Sequence, residues 1–135
     1  MTNKVFLGGT CAETTWRSEL IKNIEIDYFN PVVEDWSPKD QEIEETEKRD
    51  DCNIHLYIIT KEMIGVFSIA EAVESVHMNN KTTILQIIPR GFNEAQLRSL
   101  NAVLKMIKKH GGIGYIENDL HKVTQFLNSI QGALK

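Results

Sequence analysis

Glu71 is the carboxylate of this sequence best placed to do chemistry. It lies in Gly65-Val66-Phe67-Ser68-Ile69-Ala70-Glu71-Ala72-Val73-Glu74-Ser75, soon after the most apolar run of the chain, Ile54-His55-Leu56-Tyr57-Ile58-Ile59-Thr60. The apolar run predicts a central strand, and the stretch after Gly65 predicts a helix over 68–79. Glu71 then falls in the first turn of a helix, past the C-terminal end of a strand, which is the edge of an open α/β sheet where ligands bind. A carboxylate at that edge is a candidate ligand contact. It can also simply cap the helix: Ser68-x-x-Glu71 matches a capping box, and the helix dipole favours an anion at that end. Phe67 beside the carboxylate, the Gly65 turn and a Thr60–Ile64 link that is long for a strand-to-helix connection favour a ligand site. Both roles stay open.

Two further stretches carry candidate ligand contacts. Gly8-Gly9-Thr10-Cys11 follows a short apolar strand, Lys4-Val5-Phe6-Leu7. Its glycines let backbone approach a ligand closely, and N–H groups there could hold an oxygen; a tight turn explains it equally well. It is neither a P-loop, because the Gly-Lys-Ser/Thr ending is missing, nor a GxGxxG dinucleotide loop. Asn30-Pro31 ends a second strand, Ile24–Phe29, and Val32-Val33-Glu34-Asp35-Trp36 then brings two carboxylates and an indole. Trp36 can stack on a flat ring or lie as a lid over the core.

The elements that must position these residues alternate. Thr15 caps a first helix with Trp16, Leu20 and Ile21 toward the sheet. Ser37-Pro38 opens a second helix reaching about Asp51, polar nearly all round, with Ile43 its single large apolar residue; such a helix is solvated, mobile or an interaction element. On the third helix Ile69, Val73 and Val76 share one face, with Glu71 and Glu74 off it. Thr82–Ile88 is a fourth strand. Asn93-x-x-Gln96 caps a fourth helix with Leu97, Leu100, Val103, Leu104 and Ile107, ended by Gly111-Gly112. Ile113–Ile116 is a fifth strand, and Asn118 caps a last helix. Strict β-α alternation predicts a parallel sheet with helices on both faces, a flavodoxin-like three-layer α/β/α sandwich of five strands in the order 2-1-3-4-5. That order brings the loops after strands one, two and three into one crevice.

Bulk properties limit the function classes. The 135 residues suit one domain, 1–135, able to hold a real core. A net charge of −4 without a long basic run argues against a nucleic-acid partner. No apolar stretch reaches the roughly 18 residues of a membrane span, and Met1-Thr2-Asn3-Lys4 does not read as a signal peptide. Cys11 and Cys52 match no metal spacing, and the four histidines are scattered. The expectation is a cytoplasmic protein with no metal.

Several of these stretches together resemble the nucleoside 2-deoxyribosyltransferase-like family. They are Val5-Phe6-Leu7-Gly8-Gly9-Thr10, Trp16-Arg17, Tyr28-Phe29-Asn30-Pro31-Val32-Val33-Glu34-Asp35-Trp36, Tyr57-Ile58-Ile59-Thr60 and Gly65-Val66-Phe67-Ser68-Ile69-Ala70-Glu71. The resemblance runs from about Val5 to Ile88. It implies a flavodoxin-like fold, usually a homo-oligomer, no cofactor, and cleavage or transfer at the N-glycosidic bond of a 2'-deoxynucleoside or deoxynucleotide. It also implies that Glu71 is the nucleophile, forming a covalent deoxyribosyl ester that a second base or water resolves. The better-studied transferases carry an aspartate in the loop ahead of the glutamate, where this chain has Gly65, with Glu62 further upstream. They also carry a tyrosine near the end of the first strand, where this chain has Phe6 and Leu7. Asp35 is then the expected acid, Asp35 or Glu62 being able to substitute for that aspartate as proton donor. Gly8, Gly9 and Thr10 are expected to hold sugar hydroxyls or a 5'-phosphate, with Ser68 beside them. Trp36 and Phe67 would wall the base, and Asn30 would orient it. A nucleotide or NAD glycohydrolase and a non-catalytic nucleotide-binding module are the alternatives.

Overall fold

The computed structural model describes residues 3–11 and 14–133, with side chains described as far as residue 130. Five strands and five helices alternate. They are β1 (Lys4–Gly9), α1 (Trp16–Asn23), β2 (Asp27–Phe29), α2 (Pro38–Thr46), β3 (Ile54–Ile59), α3 (Phe67–Val76), β4 (Thr82–Ile87), α4 (Glu94–Lys109), β5 (Ile113–Ile116) and α5 (His121–Ala133). A single π-helical turn, Glu47–Asp51, continues α2 toward β3. The strands form one parallel sheet in the order β2-β1-β3-β4-β5, as the alternation predicts.

The sheet is parallel because its central strands are apolar on both faces and helices cover both. Every residue of β3 is buried. Ile54, Leu56 and Ile58 face one layer, where Trp16 and Leu20 of α1 and Val123 and Leu127 of α5 meet them. Tyr57 and Ile59 face the other, against Ala72 of α3 and Leu100, Leu104 and Ile107 of α4. The period-two alternation of one strand thus feeds two separate cores. No helix among the described residues is long and apolar enough to cross a membrane.

Several boundaries differ from the sequence expectations. β1 runs on through Gly8 and Gly9, which pair with Tyr57 and Ile58 instead of forming a loop. Gly9 has φ +111°, and a Cβ there would strike the backbone of Ile58; a Cβ on Gly8 would strike the ring of Tyr57. These glycines exist for close strand packing as well as for the edge they form. β2 keeps only Asp27–Phe29, because β1 offers it only Lys4–Phe6 for pairing. Thr15 stands at the start of α1 without a side-chain cap bond. Asn118 is not the cap of α5: its side chain accepts from the Arg90 N–H, and Asp119 accepts from the N–H of His121. Asn93 and Gln96 do form the expected capping box.

Candidate active site

The third helix begins two residues earlier than its capping pattern suggests. Val66 occupies the N-cap position and no side chain caps the helix. Its carbonyl takes the N–H groups of Ile69 and Ala70. Ser68 is therefore the second helical residue and Glu71 the fifth, so the capping box of the sequence reading does not form. The reason lies in tertiary packing. A side-chain cap contributes only about 1 kcal/mol, and the register of α3 is instead set by burial of Ala72 and Ser75 against the sheet. With the capping role gone, Glu71 is free for another. Its Oε2 accepts from Nζ of Lys48 at 2.6 Å, and the two side chains are only 13 % and 17 % exposed.

Glu71 faces a cleft of about 390 Å³ at the C-terminal edge of the sheet. Gly8 and Gly9 of β1 form its floor, and Pro31, Val32, Val33 and Trp36 form one wall. Phe67, Ser68 and Glu71, spaced to share one face of α3, form the opposite wall. Trp36 is 57 % exposed and Phe67 73 %, so Trp36 lines the cleft and is not a lid over the core. The strand order thus brings the three stretches into one crevice, as expected from the topology.

Arg17, buried, also lines the cleft. Its Nε donates to the Leu7 carbonyl at 3.0 Å, Nη1 to the Thr10 carbonyl at 2.7 Å and Nη2 to the Gly9 carbonyl at 3.3 Å. Burial lowers its pKa, yet a guanidinium stays charged across the physiological range. The result is a fixed positive charge in the cleft wall that also sets the course of the β1 edge.

Not every expected residue reaches the cleft. Thr10 is buried and occupied: its N–H donates to the Ile58 carbonyl and its Oγ1 accepts from the Thr60 N–H, both at 2.9 Å. It lines a smaller adjoining hollow with Gly9 and Ser68. Asn30 uses its side-chain oxygen to take the Val32 N–H, turning the loop. Asp35 is exposed, and neither it nor Glu62 lines the cleft.

The sequence reading missed Glu44. It stands on α2 and lines the cleft with Glu71. Its carboxyl is pushed above the ordinary carboxylate range, first by burial and then by the charge of Glu71. The signal was present in the spacing. On α2 and the π-helical turn the inward, half-buried positions are Asp40, Glu44, Glu47 and Lys48, a helical stripe made of charges. The helix reads as polar all round because its inward face looks onto a polar site. Ser37 holds its start, giving both its N–H and its hydroxyl to Asp40 at 2.9 Å.

Behind Glu71 lies a second hollow of about 420 Å³, lined by Lys48, His55, Tyr57, Ser75 and Glu74. Glu71 and Phe67 line both and form the wall between them. Tyr57 lies opposite Gly8 in the sheet. Burial, reinforced by Glu71 and Glu74, pushes its phenol well up.

Residues 2–92 match the family described as nucleoside 2-deoxyribosyltransferase like. The chain belongs to that family. Within this nucleoside 2-deoxyribosyltransferase-like chain the matched part takes in β1 through the turn beyond β4, and so every residue of the cleft. Neither the curated proteins nor the solved structures gave a match to the chain.

Proposed function

We propose that the protein cleaves or transfers at the N-glycosidic bond of a 2'-deoxynucleoside or deoxynucleotide, with Glu71 as nucleophile and Glu44 as general acid. The observation that carries this reading is the pairing of two unlike carboxyl groups in one cleft. Glu71 is ion-paired with Lys48, and Glu44 is pushed toward its protonated form by burial and by Glu71. A carboxylate held by a lysine and a second carboxyl pushed up by burial are suited to separate roles, nucleophile and acid. Membership of the family supports this substrate class.

In the first step the anomeric carbon leaves the base nitrogen and bonds to a Glu71 oxygen, while the Glu44 proton passes to the departing base. The transition state is oxocarbenium-like, and the anion of Glu71 stabilises it before trapping it. In the second step an incoming base, or water, attacks the anomeric carbon and gives its proton to Glu44, which restores both carboxyl groups. Trp36 and Phe67 supply flat apolar walls for the base. Gly8 and Gly9 allow the sugar close to the sheet edge. Ser68, at the uncapped start of α3, is placed for a sugar oxygen or a 5'-phosphate.

The test is base release, followed by chromatography, from a panel of deoxynucleosides, deoxynucleotides and NAD, with and without a second free base. Release from deoxy substrates that is lost in Glu71→Gln supports the reading. Exchange with the added base identifies a transferase, and release without exchange identifies a hydrolase. Release of nicotinamide from NAD alone would favour a glycohydrolase instead.

A further inference from the structure

The π-helical turn Glu47–Asp51 has one function visible in its contacts: it presents Lys48 to Glu71. The turn is pinned from three sides. Nε2 of buried His55 meets the Lys48 carbonyl at 2.9 Å, and Nδ1 of the same ring meets Oγ of Ser75 at 2.8 Å. Ser75 in turn pairs with Thr83 at 2.6 Å. Lys81 donates to the carbonyls of Arg49 and Cys52, each at 2.8 Å. Lys4 pairs with Glu47 at 2.9 Å. A π-helical turn is an uncommon conformation, found often at functional sites, and three side chains hold this one directly, Lys4, His55 and Lys81, with Ser75 and Thr83 behind His55.

The held lysine reaches Glu71 from the second hollow, behind the wall of the cleft. It holds Oε2 at 2.6 Å. Among the described residues Oε1 has no hydrogen bond. Nζ also lies 5.5 Å above the ring of Phe6, on the cleft floor. Glu44 precedes Lys48 by four residues, the favourable order for an ion pair along a helix, and Lys48 acts on the Glu44 carboxyl electrostatically. The ammonium is thus ion-paired with Glu71 and follows Glu44 by four residues in the chain.

We propose that Lys48 is a third catalytic residue of this site: it holds Oε2 of Glu71, leaves Oε1 to attack, and becomes the counter-ion of Glu44 once that carboxyl has given up its proton. The proposal rests on the reading of Glu71 as nucleophile and goes beyond it. The charges balance. Before the first step the site holds anionic Glu71, cationic Lys48 and neutral Glu44. After it, Glu71 is a neutral ester, the Glu44 proton is on the departed base, and Glu44 is the anion. Lys48 keeps one negative partner throughout, so the step creates no unpaired buried charge. His55 is the positioning residue, acting through the carbonyl of Lys48.

The test follows the carboxyl carbons of the protein labelled with ¹³C at glutamate Cδ, titrated by NMR. The Glu44 and Glu71 resonances are assigned by their loss in the Gln variants. Charged and titratable groups facing Lys48 are Glu44 and Glu45 of α2, Arg49 of the turn, His55 and Tyr57 of β3, and Glu71 and Glu74 of α3. Lys48→Met keeps the stem and removes the charge. The Glu44 carboxyl is expected to ionise at higher pH in Lys48→Met than in the wild type, because the charge of Lys48 holds it down, with Lys48→Arg close to the wild type. Base release in Lys48→Met is expected to fall about tenfold or more in kcat with KM little changed. Lys48→Gln serves beside it should the methionine variant fail to fold. Titrations that coincide in wild type and Lys48→Met, or undiminished kcat, overturn the proposal while leaving Glu71 as nucleophile. Base release that survives in Glu71→Gln overturns the underlying reading, and Lys48 as a catalytic residue with it, even where the titration moves as expected.

Discussion

His55 should make the fold lose stability in mild acid. It is buried in β3 with both ring nitrogens engaged. Burial pushes its pKa down from 6.5 to about 4. In the unfolded chain the imidazole takes up its proton near pH 6.5, while in the folded chain it resists protonation until about pH 4. The unfolded state therefore binds more protons across this window, and stability rises with pH. The contribution is complete above about pH 6.5 and is lost progressively as pH falls toward 4. At about 1.4 kcal/mol per pH unit, the window is worth about 3 kcal/mol, a large part of the 5–15 kcal/mol of an ordinary domain. His55→Gln keeps a donor toward the Lys48 carbonyl and removes the titration. The assay is urea unfolding of both proteins at intervals from pH 7.5 to pH 4. The wild type should be the more stable at pH 7, and its advantage should shrink by about 3 kcal/mol by pH 4. A difference that stays constant across the range would refute the reasoning, because it would mean that His55 takes up protons alike in both states.

Other expected outcomes follow from single contacts. Gly9→Ala, forced to φ +111° with its Cβ against the backbone of Ile58, should cost roughly 3 kcal/mol in urea unfolding. Glu44→Gln should slow release of ordinary bases by about 10²–10⁴, yet spare substrates whose leaving group needs no proton, in a steady-state comparison of the two substrate types. Trp36→Ala, which strips an exposed cleft wall, should raise KM about tenfold with kcat little changed, as loss of one base–aromatic stack requires.

The fold was largely legible because it rests on patterns that repeat. The Ile54–Thr60 run, the stripe of Leu97, Leu100, Leu104 and Ile107 and the β-α alternation each report burial directly. The five-strand order followed from them. What was not legible depended on competition between local and tertiary terms. Ser68-x-x-Glu71 has the local pattern of a cap, but packing of Ala72 and Ser75 chose the register of α3. Asn118 has the type of a cap, but it takes the Arg90 N–H across the sheet edge instead. Thr10 looked like a ligand contact and turned out to bind β1 to β3.

The site was half legible for a related reason. Glu71, Phe67, Trp36 and the glycine pair lie in stretches that also meet in space. Glu44 and Lys48 lie on a helix with no apolar stripe, where ordinary reading finds only solvated surface. Their spacing, Asp40-Glu44-Lys48, is the signal. A polar helix that is properly capped at Ser37, follows a ligand-side loop and repeats charges every fourth residue can be facing a site rather than water.

The measurement that tests the central claim most directly is base release from a 2'-deoxynucleoside or deoxynucleotide by the wild-type protein and by Glu71→Gln. Release by the wild type is expected to fall by several orders of magnitude in the variant while the variant stays folded and still binds the substrate. Equal release by the two proteins, or none by a wild type that binds these compounds, would contradict it.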